Sequence, residues 1–407
     1  MNAQEVIAQE KEYVLPNYRR TPFVFVKGKG TKIWDVNGKC YLDFFPGWGV
    51  SGLGHCPSRV TRAIQTQAGR IIHVSNNYYH PLQVKLARRI VESSFEGKVF
   101  FSNSGAEANE AAIKLARAYG HPNRYEILSM NKSFHGRTLA TVTMTGQSKY
   151  KEGFGPLPQG FREVPFNDLE AVKGAIRPET IAIFVELIQG EGGIHVATPE
   201  FVRGLRRLCD EKKILLVFDE VQTGIGRTGK LFCFEHYGVT PDVMTLAKSL
   251  GGGVPIGAMV VRKPFTELLG PGRHAATFGG SPLVCRASLA VFETIQKEKL
   301  LTHVAKLGAF LFESLKSFQE KYPSLIREVR GKGFMIGMEL TQDGKLFIDK
   351  CIEKGLLLNC TQERVIRIMP PLNASKKEVV QALEIIDRKS TRLNSSHGTL
   401  SRMPSSA

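Results

Sequence analysis

The sequence predicts an α/β protein: a mostly parallel central sheet with helices on both faces, plus a smaller α+β domain. Three observations lead there. From about Ser51 to Cys285, short apolar runs alternate with helix-like stretches, the pattern of parallel strands joined by crossover helices. Ile214-Leu215-Leu216-Val217-Phe218 is uninterruptedly apolar, as a strand buried on both faces requires. That run ends in Asp219-Glu220-Val221-Gln222, and a second short run, 243–247, ends in Lys248. Open α/β sheets place ligand chemistry at such strand ends.

Taken in order, the chain to about Val50 offers short strands at 23–27, 32–35 and 41–44, separated by turns at Gly28-Lys29-Gly30 and Asn37-Gly38. Strands are then predicted at 98–102, 125–130, 141–145, 181–185, 214–218, 243–246 and 258–261. Helices lie between them, among them 106–119 and 199–211. A long helix follows from Arg286 to about Lys299, and the remainder to Asp387 carries strands near 329–340 and 365–368. The expected organisation is an N-terminal segment (1–50) packing with the small domain, a large domain (51–285), and a connecting helix with the C-terminal small domain (286–387). Residues 388–407 interrupt an amphipathic helix with polar, aperiodic sequence resembling translated vector, and are expected to be non-native and disordered.

Composition narrows the function classes. Hydrophobic residues make up 42% and charged residues 23%, a globular profile, and no run reaches membrane-helix length. Met1-Asn2-Ala3-Gln4-Glu5 has no basic start or apolar core, so a cytoplasmic location is expected. The seven cysteines are scattered without metal-type spacing, so neither a metal nor a disulfide framework is expected. Of the net charge of +17, four charges sit in 388–407, and the rest is dispersed with no run longer than Arg19-Arg20 or Arg206-Arg207. Nucleic-acid binding therefore reads weakly.

Five segments carry candidate chemistry. Ser102-Asn103-Ser104-Gly105-Ala106-Glu107-Ala108-Asn109-Glu110 follows a strand and opens a helix. Small residues there let backbone N–H groups approach a phosphate, although Ser104 also reads as an ordinary cap. Ser133-Phe134-His135-Gly136-Arg137-Thr138 offers an aromatic ring for stacking and an arginine fork for a carboxylate. Alone it equally suits a core phenylalanine beside a surface arginine. Glu186-Leu187-Ile188-Gln189-Gly190-Glu191-Gly192-Gly193 suggests a pocket rim or a polar turn. Asp219 to Gln222 with Lys248 suits one cofactor well. Pyridoxal phosphate needs an amine for its aldehyde and an acid beside its ring nitrogen, with Gln222 within reach of the phenolic oxygen. Thr277-Phe278-Gly279-Gly280 places a hydroxyl in a glycine turn.

Gly224-Ile225-Gly226-Arg227-Thr228-Gly229 matches a dinucleotide fingerprint, and Gly224 to Lys230 matches a P-loop until Leu231 replaces the hydroxyl residue. Asp219 and Glu220 directly before it disfavour a pyrophosphate, and no strong helix pattern follows. A nucleotide-dependent enzyme is thus the rival from another class.

Together these motifs resemble the class III aminotransferases, fold-type I pyridoxal-phosphate enzymes, from about Tyr13 to Asp387. The resemblance is closest to members acting on N2-acetyl-L-ornithine. It implies transfer of that ω-amino group to 2-oxoglutarate in arginine biosynthesis, by a homodimer. Ornithine, succinylornithine, 4-aminobutyrate or an acylated lysine intermediate are the alternative donors. It implies that Lys248 holds the cofactor and shuttles the proton, with Asp219 at the ring nitrogen. Phe134 and Val221 sandwich the ring, with Gln222 beside it. Ser104, Gly105 and Ala106 lie at the phosphate, which Thr277 reaches from the neighbouring subunit. On the substrate side it implies Arg137, Arg367, Glu191 as a gate on Arg367, Glu186, Tyr18, Trp48 and Ala276. Three residues depart from the family pattern: Leu187 replaces proline, Trp48 replaces smaller residues or tyrosine, and Ala276 lacks a hydroxyl.

Overall fold

The computed structural model describes residues 1–400, and side chains as far as residue 391. Its centre is a seven-stranded sheet in the order Gly97–Ser102, Gly257–Arg262, Val243–Leu246, Leu215–Asp219, Thr180–Val185, Glu126–Met130, Phe161–Val164. Gly257–Arg262 pairs antiparallel with both of its neighbours, whereas the other pairs are parallel. Mostly parallel strands need cover on both faces, and the alternation along Leu215–Asp219 provides it. Leu215 and Val217 pack with Ala111, Ala112 and Leu115 of the helix Gly105–Gly120. Leu216 and Phe218 face the opposite core with Phe201, Val202 and Leu205 of the helix Pro199–Lys212.

A second, antiparallel sheet joins Ile326–Lys332, Met335–Leu340, Val365–Ile368 and Asn359–Thr361. The N-terminal strands Phe25–Lys29, Lys32–Asp35 and Cys40–Asp43 form a third sheet, closed by Leu356–Leu357 pairing parallel with Cys40–Asp43. The first fifty residues are thereby tied to the C-terminal part of the chain.

Two sequence expectations need correction, and two elements carried none. The threonine-rich stretch 141–145 reads as a strand from its β-branched residues, but Leu139–Met144 is a helix. Its hydroxyls close the turn: Thr143 Oγ1 donates to Leu139 O at 2.6 Å and Thr145 Oγ1 to Thr141 O at 2.9 Å. The edge strand Phe161–Val164 and the capped helix Ala3–Tyr13 carried no sequence expectation. Finally, the last helix runs Lys376–Leu400, straight through 388–400, where disorder was expected. Lys389 and Ser390 are buried, and Ser390 Oγ bonds Ile386 O at 3.0 Å. The polar stretch thus continues the amphipathic helix for at least another turn of packing. Residues 401–407 of that expectation lie outside the described residues.

Candidate active site

Asp219 ends its strand opposite Thr245 of the neighbouring parallel strand, and Lys248 follows three residues later. Both line a cavity of about 470 Å³ at the carboxyl ends of the sheet. Lys248 adopts φ +46, a left-handed backbone that a side chain resists, and such strain persists where packing holds a residue for a purpose. Burial pushes the Lys248 ammonium down, against the pull of Glu191, Asp219 and Glu186.

The carboxylate of Asp219 is fully engaged on its inner side. Oδ2 accepts from Asn109 Nδ2 and from His135 Nδ1, each at 2.8 Å, and Oδ1 accepts from Val221 N at 3.0 Å. Burial works against a charged His135, but the hydrogen bond and charge of Asp219, with Glu186 beyond, raise its pKa overall. Burial also pushes the Glu186 carboxyl up to about 7. Glu186 accepts from Phe134 N at 2.9 Å and Gly190 N at 3.2 Å, so it ties the aromatic loop to the rim turn.

The helix Gly105–Gly120 aims its first N–H groups into the same cavity. Ser104 is its N-cap and its Oγ accepts from Glu107 N at 3.1 Å, which leaves Gly105 and Ala106 as free backbone donors for an anion. A Cβ on Gly105 would lie 2.7 Å from Val221 Cγ1, so only glycine lets Val221 pack over the helix start. Phe134 lines another part of the cavity. Gln222 donates from Nε2 to Trp48 O at 3.1 Å, while its buried Oε1 has no partner. A Cβ on Gly190 would sit 1.8 Å from that oxygen. These features fit pyridoxal phosphate: an amine, a fixed carboxylate, an apolar and an aromatic side chain, and a helix start for the phosphate.

Two arginines differ in state. Arg137 lines the cavity with its guanidinium 4.0 Å from the Tyr150 ring centre and 5.5 Å from that of Phe134. No carboxylate pairs with it among the described residues. Arg367 is 1% exposed and closed: Nη1 and Nη2 meet Glu191 Oε1 and Oε2 at 2.5 and 3.2 Å. Asn359 Oδ1 accepts from its Nε and Nη2, and its guanidinium carbon lies 4.6 Å from the Phe45 ring centre. Burial would raise the Glu191 carboxyl, but the Arg367 charge and hydrogen bonds hold it below the usual range.

The cavity thus gathers Ser104, Gly105, Ala106, Phe134, Arg137, Glu186, Glu191, Asp219, Val221, Gln222 and Lys248, with Arg367 behind Glu191. Four sequence candidates stand outside its lining. Tyr18 is 62% exposed beneath Arg20, and Trp48 is half exposed, edge-on to Phe45. The Ala276 carbonyl accepts from Asn76 Nδ2 at 3.1 Å, and Thr277 faces solvent. Sequence reasoning assigned no role to His135, Asn109, Thr245, Phe45 or Asn359. The first two lie inside quoted motifs, but nothing local marks their contact with Asp219.

The Gly224–Gly229 segment, named for its glycine spacing, is folded inward. Gly226 N bonds Leu231 O at 3.0 Å, and the fully buried Arg227 donates to Pro370 O at 2.5 Å. Its backbone donors and its cation serve the interior, which removes the cradle a nucleotide phosphate needs.

A sequence-family profile described as Aminotransferase class-III matches residues 13–389. An acetylornithine aminotransferase from Caldanaerobacter subterraneus subsp. tengcongensis is 51% identical over 387 residues, covering 94% of this chain and 98% of its own. One from Methanocaldococcus jannaschii is 49% identical, covering 97% and 100%. The crystal structure of ornithine aminotransferase from Toxoplasma gondii superposes with a TM-score of 0.94 at 33% identity, covering 97% and 96%.

Proposed function

The chain belongs to the class III aminotransferases, transaminases that depend on pyridoxal phosphate, and from that premise we propose that it moves the ω-amino group of N2-acetyl-L-ornithine to 2-oxoglutarate, a step of arginine biosynthesis. The observation that carries the reading is one cavity holding an open arginine, Arg137, and a closed one, Arg367 with Glu191, around Lys248. A site that takes first an ω-amine and then a dicarboxylate needs one permanent carboxylate fork and one that can be switched on. The names of the relatives support the same substrate.

When bound, pyridoxal phosphate supplies an aldehyde for the amino group and a cationic ring that accepts electrons from the substrate carbon. Lys248 would tie the cofactor down and then carry a proton between substrate carbon and cofactor. Burial lowers its ammonium pKa, the direction that suits an amine that must shed and regain a proton. Asp219 would hold the ring nitrogen, Phe134 and Val221 the two ring faces, and Gln222 the phenolic oxygen, all four lining the one cavity. Gly105 and Ala106 would donate to the phosphate. In this reading residues 51–285 form the cofactor domain, while 1–50 and 286–387 bring Phe45 and Arg367 to its mouth. The seven free cysteines suit a reducing, cytoplasmic setting.

A panel of amino donors with 2-oxoglutarate tests the substrate. N2-acetyl-L-ornithine should give the highest kcat/KM. A higher value for ornithine, succinylornithine, 4-aminobutyrate or an acylated lysine would replace it. Arg137→Ala should cost about 2–4 kcal/mol of transition-state stabilisation for carboxylate substrates, as for a lost charge-assisted pair. Unchanged kcat/KM would refute its role.

The proposal includes a homodimer in which Thr277 completes the partner's phosphate site, since Thr277 stands exposed outside its own chain's cavity. Thr277→Ala should weaken cofactor binding about tenfold. Mixed dimers of Thr277→Ala and Lys248→Ala chains discriminate: service across the interface rebuilds one intact site per dimer, with wild-type affinity. Recovery no better than in Thr277→Ala dimers would place the hydroxyl in its own subunit's site.

A further inference from the structure

We infer that Asn109 and Thr245 are positioning residues that fix which oxygen of Asp219 is left for the cofactor ring. The inference rests on the assignment of Asp219 to the ring nitrogen made above. Asn109 lies on the inner face of the helix Gly105–Gly120 and is 1% exposed. Its Nδ2 donates to Asp219 Oδ2 at 2.8 Å and to the main-chain oxygen of His135 at 2.7 Å. Both partners are acceptors only, so both amide protons are committed and the amide has one permitted orientation. Its Oδ1 must then accept, and Thr245 Oγ1 donates to it at 2.8 Å. Thr245 is fully buried and stands beside Asp219 in register on the next strand.

The consequence is an asymmetric carboxylate. Among the described residues, Oδ2 takes two donors, Asn109 and His135, whereas Oδ1 takes only Val221 N. The free lone pair of Oδ1 is the one available to a ring N–H. His135 cannot enforce this alone, because its buried Nε2 has no partner among the described residues to fix the ring's tautomer. Asn109 also braces His135 through its carbonyl, so one amide sets both groups. Aspartate at 109 would oppose Asp219 with like charge, and an aliphatic residue would offer no donor.

The test uses the holoenzyme and the variants Thr245→Val, Thr245→Ser and Asn109→Leu, with Asp219→Asn as reference. Two quantities are read: the Kd for pyridoxal phosphate, and the pH midpoint of the bound cofactor's visible absorbance. Thr245→Val should weaken binding about 3- to 10-fold, and Asn109→Leu about tenfold or more. Both should move the midpoint upward by roughly half a unit, because a less firmly cationic ring withdraws fewer electrons. Thr245→Ser should restore both values. If Asp219→Asn itself leaves both quantities unchanged, the ring-nitrogen assignment fails. If it shifts them while Thr245→Val matches wild type, the clamp is refuted and Asp219 keeps its role. Should Asn109→Leu not fold, the Thr245 pair decides alone, since valine and serine alter one methyl or hydroxyl in a small volume.

Discussion

Lys248→Ala is expected to fold, to bind pyridoxal phosphate without the covalent visible band, and to lose at least about 10⁴-fold in kcat, beyond what removal of one acid–base group costs. Both proposed functions of one amine would vanish: the covalent tether and the proton carrier. The fold should tolerate the change, because the Lys248 side chain makes no hydrogen bond or ion pair among the described residues. Its left-handed backbone is also no harder for alanine to adopt than for lysine. Added methylamine should restore a fraction of turnover by supplying the missing base. A variant that keeps both the band and near-normal turnover would show that another amine does this chemistry, and the reading of the whole cavity would fall.

That residue was legible because its signal is one-dimensional. Two apolar runs ending in an acid and a lysine need only the rule that parallel strands release their chemistry at the same edge. The contacts that hold Asp219 were not legible. Asn109 reaches it across 110 residues and Thr245 reaches Asn109 across 136, and neither separation leaves a local periodicity. Composition misled at 139–144, where β-branched threonines favour a strand until their hydroxyls are counted as caps. The glycine-rich 224–229 segment, already disfavoured as a phosphate loop by Asp219 and Glu220 before it, gains a structural reason. Its spacing suits a phosphate loop, but glycine there serves close packing, as where Gly229 meets the backbone of Ala305. Tyr18, Trp48, Ala276 and Thr277 show a further limit. One chain's cavity lining does not include them, and in the proposed dimer it is the neighbouring subunit that would bring Thr277 to it.

Glu191→Gln should separate the two half-reactions. The arginine is the fixed member of the pair: Asn359 holds two of its nitrogens, Gly190 O accepts from Nη1 at 3.2 Å, and the Phe45 ring lies against its face. Apart from Arg367, Glu191 is anchored among the described residues only through its main-chain oxygen, which accepts from Thr361 and Gln362, so its side chain can leave once Arg367 takes another carboxylate. With glutamine at 191 the charge pairing is lost while one amide oxygen remains, and Arg367 stays more open to a carboxylate. The ratio of kcat/KM for the ω-amine donor to that for glutamate should fall about 10- to 100-fold, matching about 1.4–2.7 kcal/mol for a charge-assisted pair. The sign with pH follows from the depressed Glu191 pKa. A carboxylate held below its usual range stays ionised from mildly acidic to alkaline solution, so the wild-type ratio should be flat from about pH 6 to 9. An equal loss in both half-reactions would mean that the pair only supports the site's structure. A wild-type ratio that titrates near neutrality, and ceases to titrate in Glu191→Gln, would mean that a proton on Glu191, rather than the incoming carboxylate, opens the gate, whereas a titration kept in that variant would belong to another group such as Glu186.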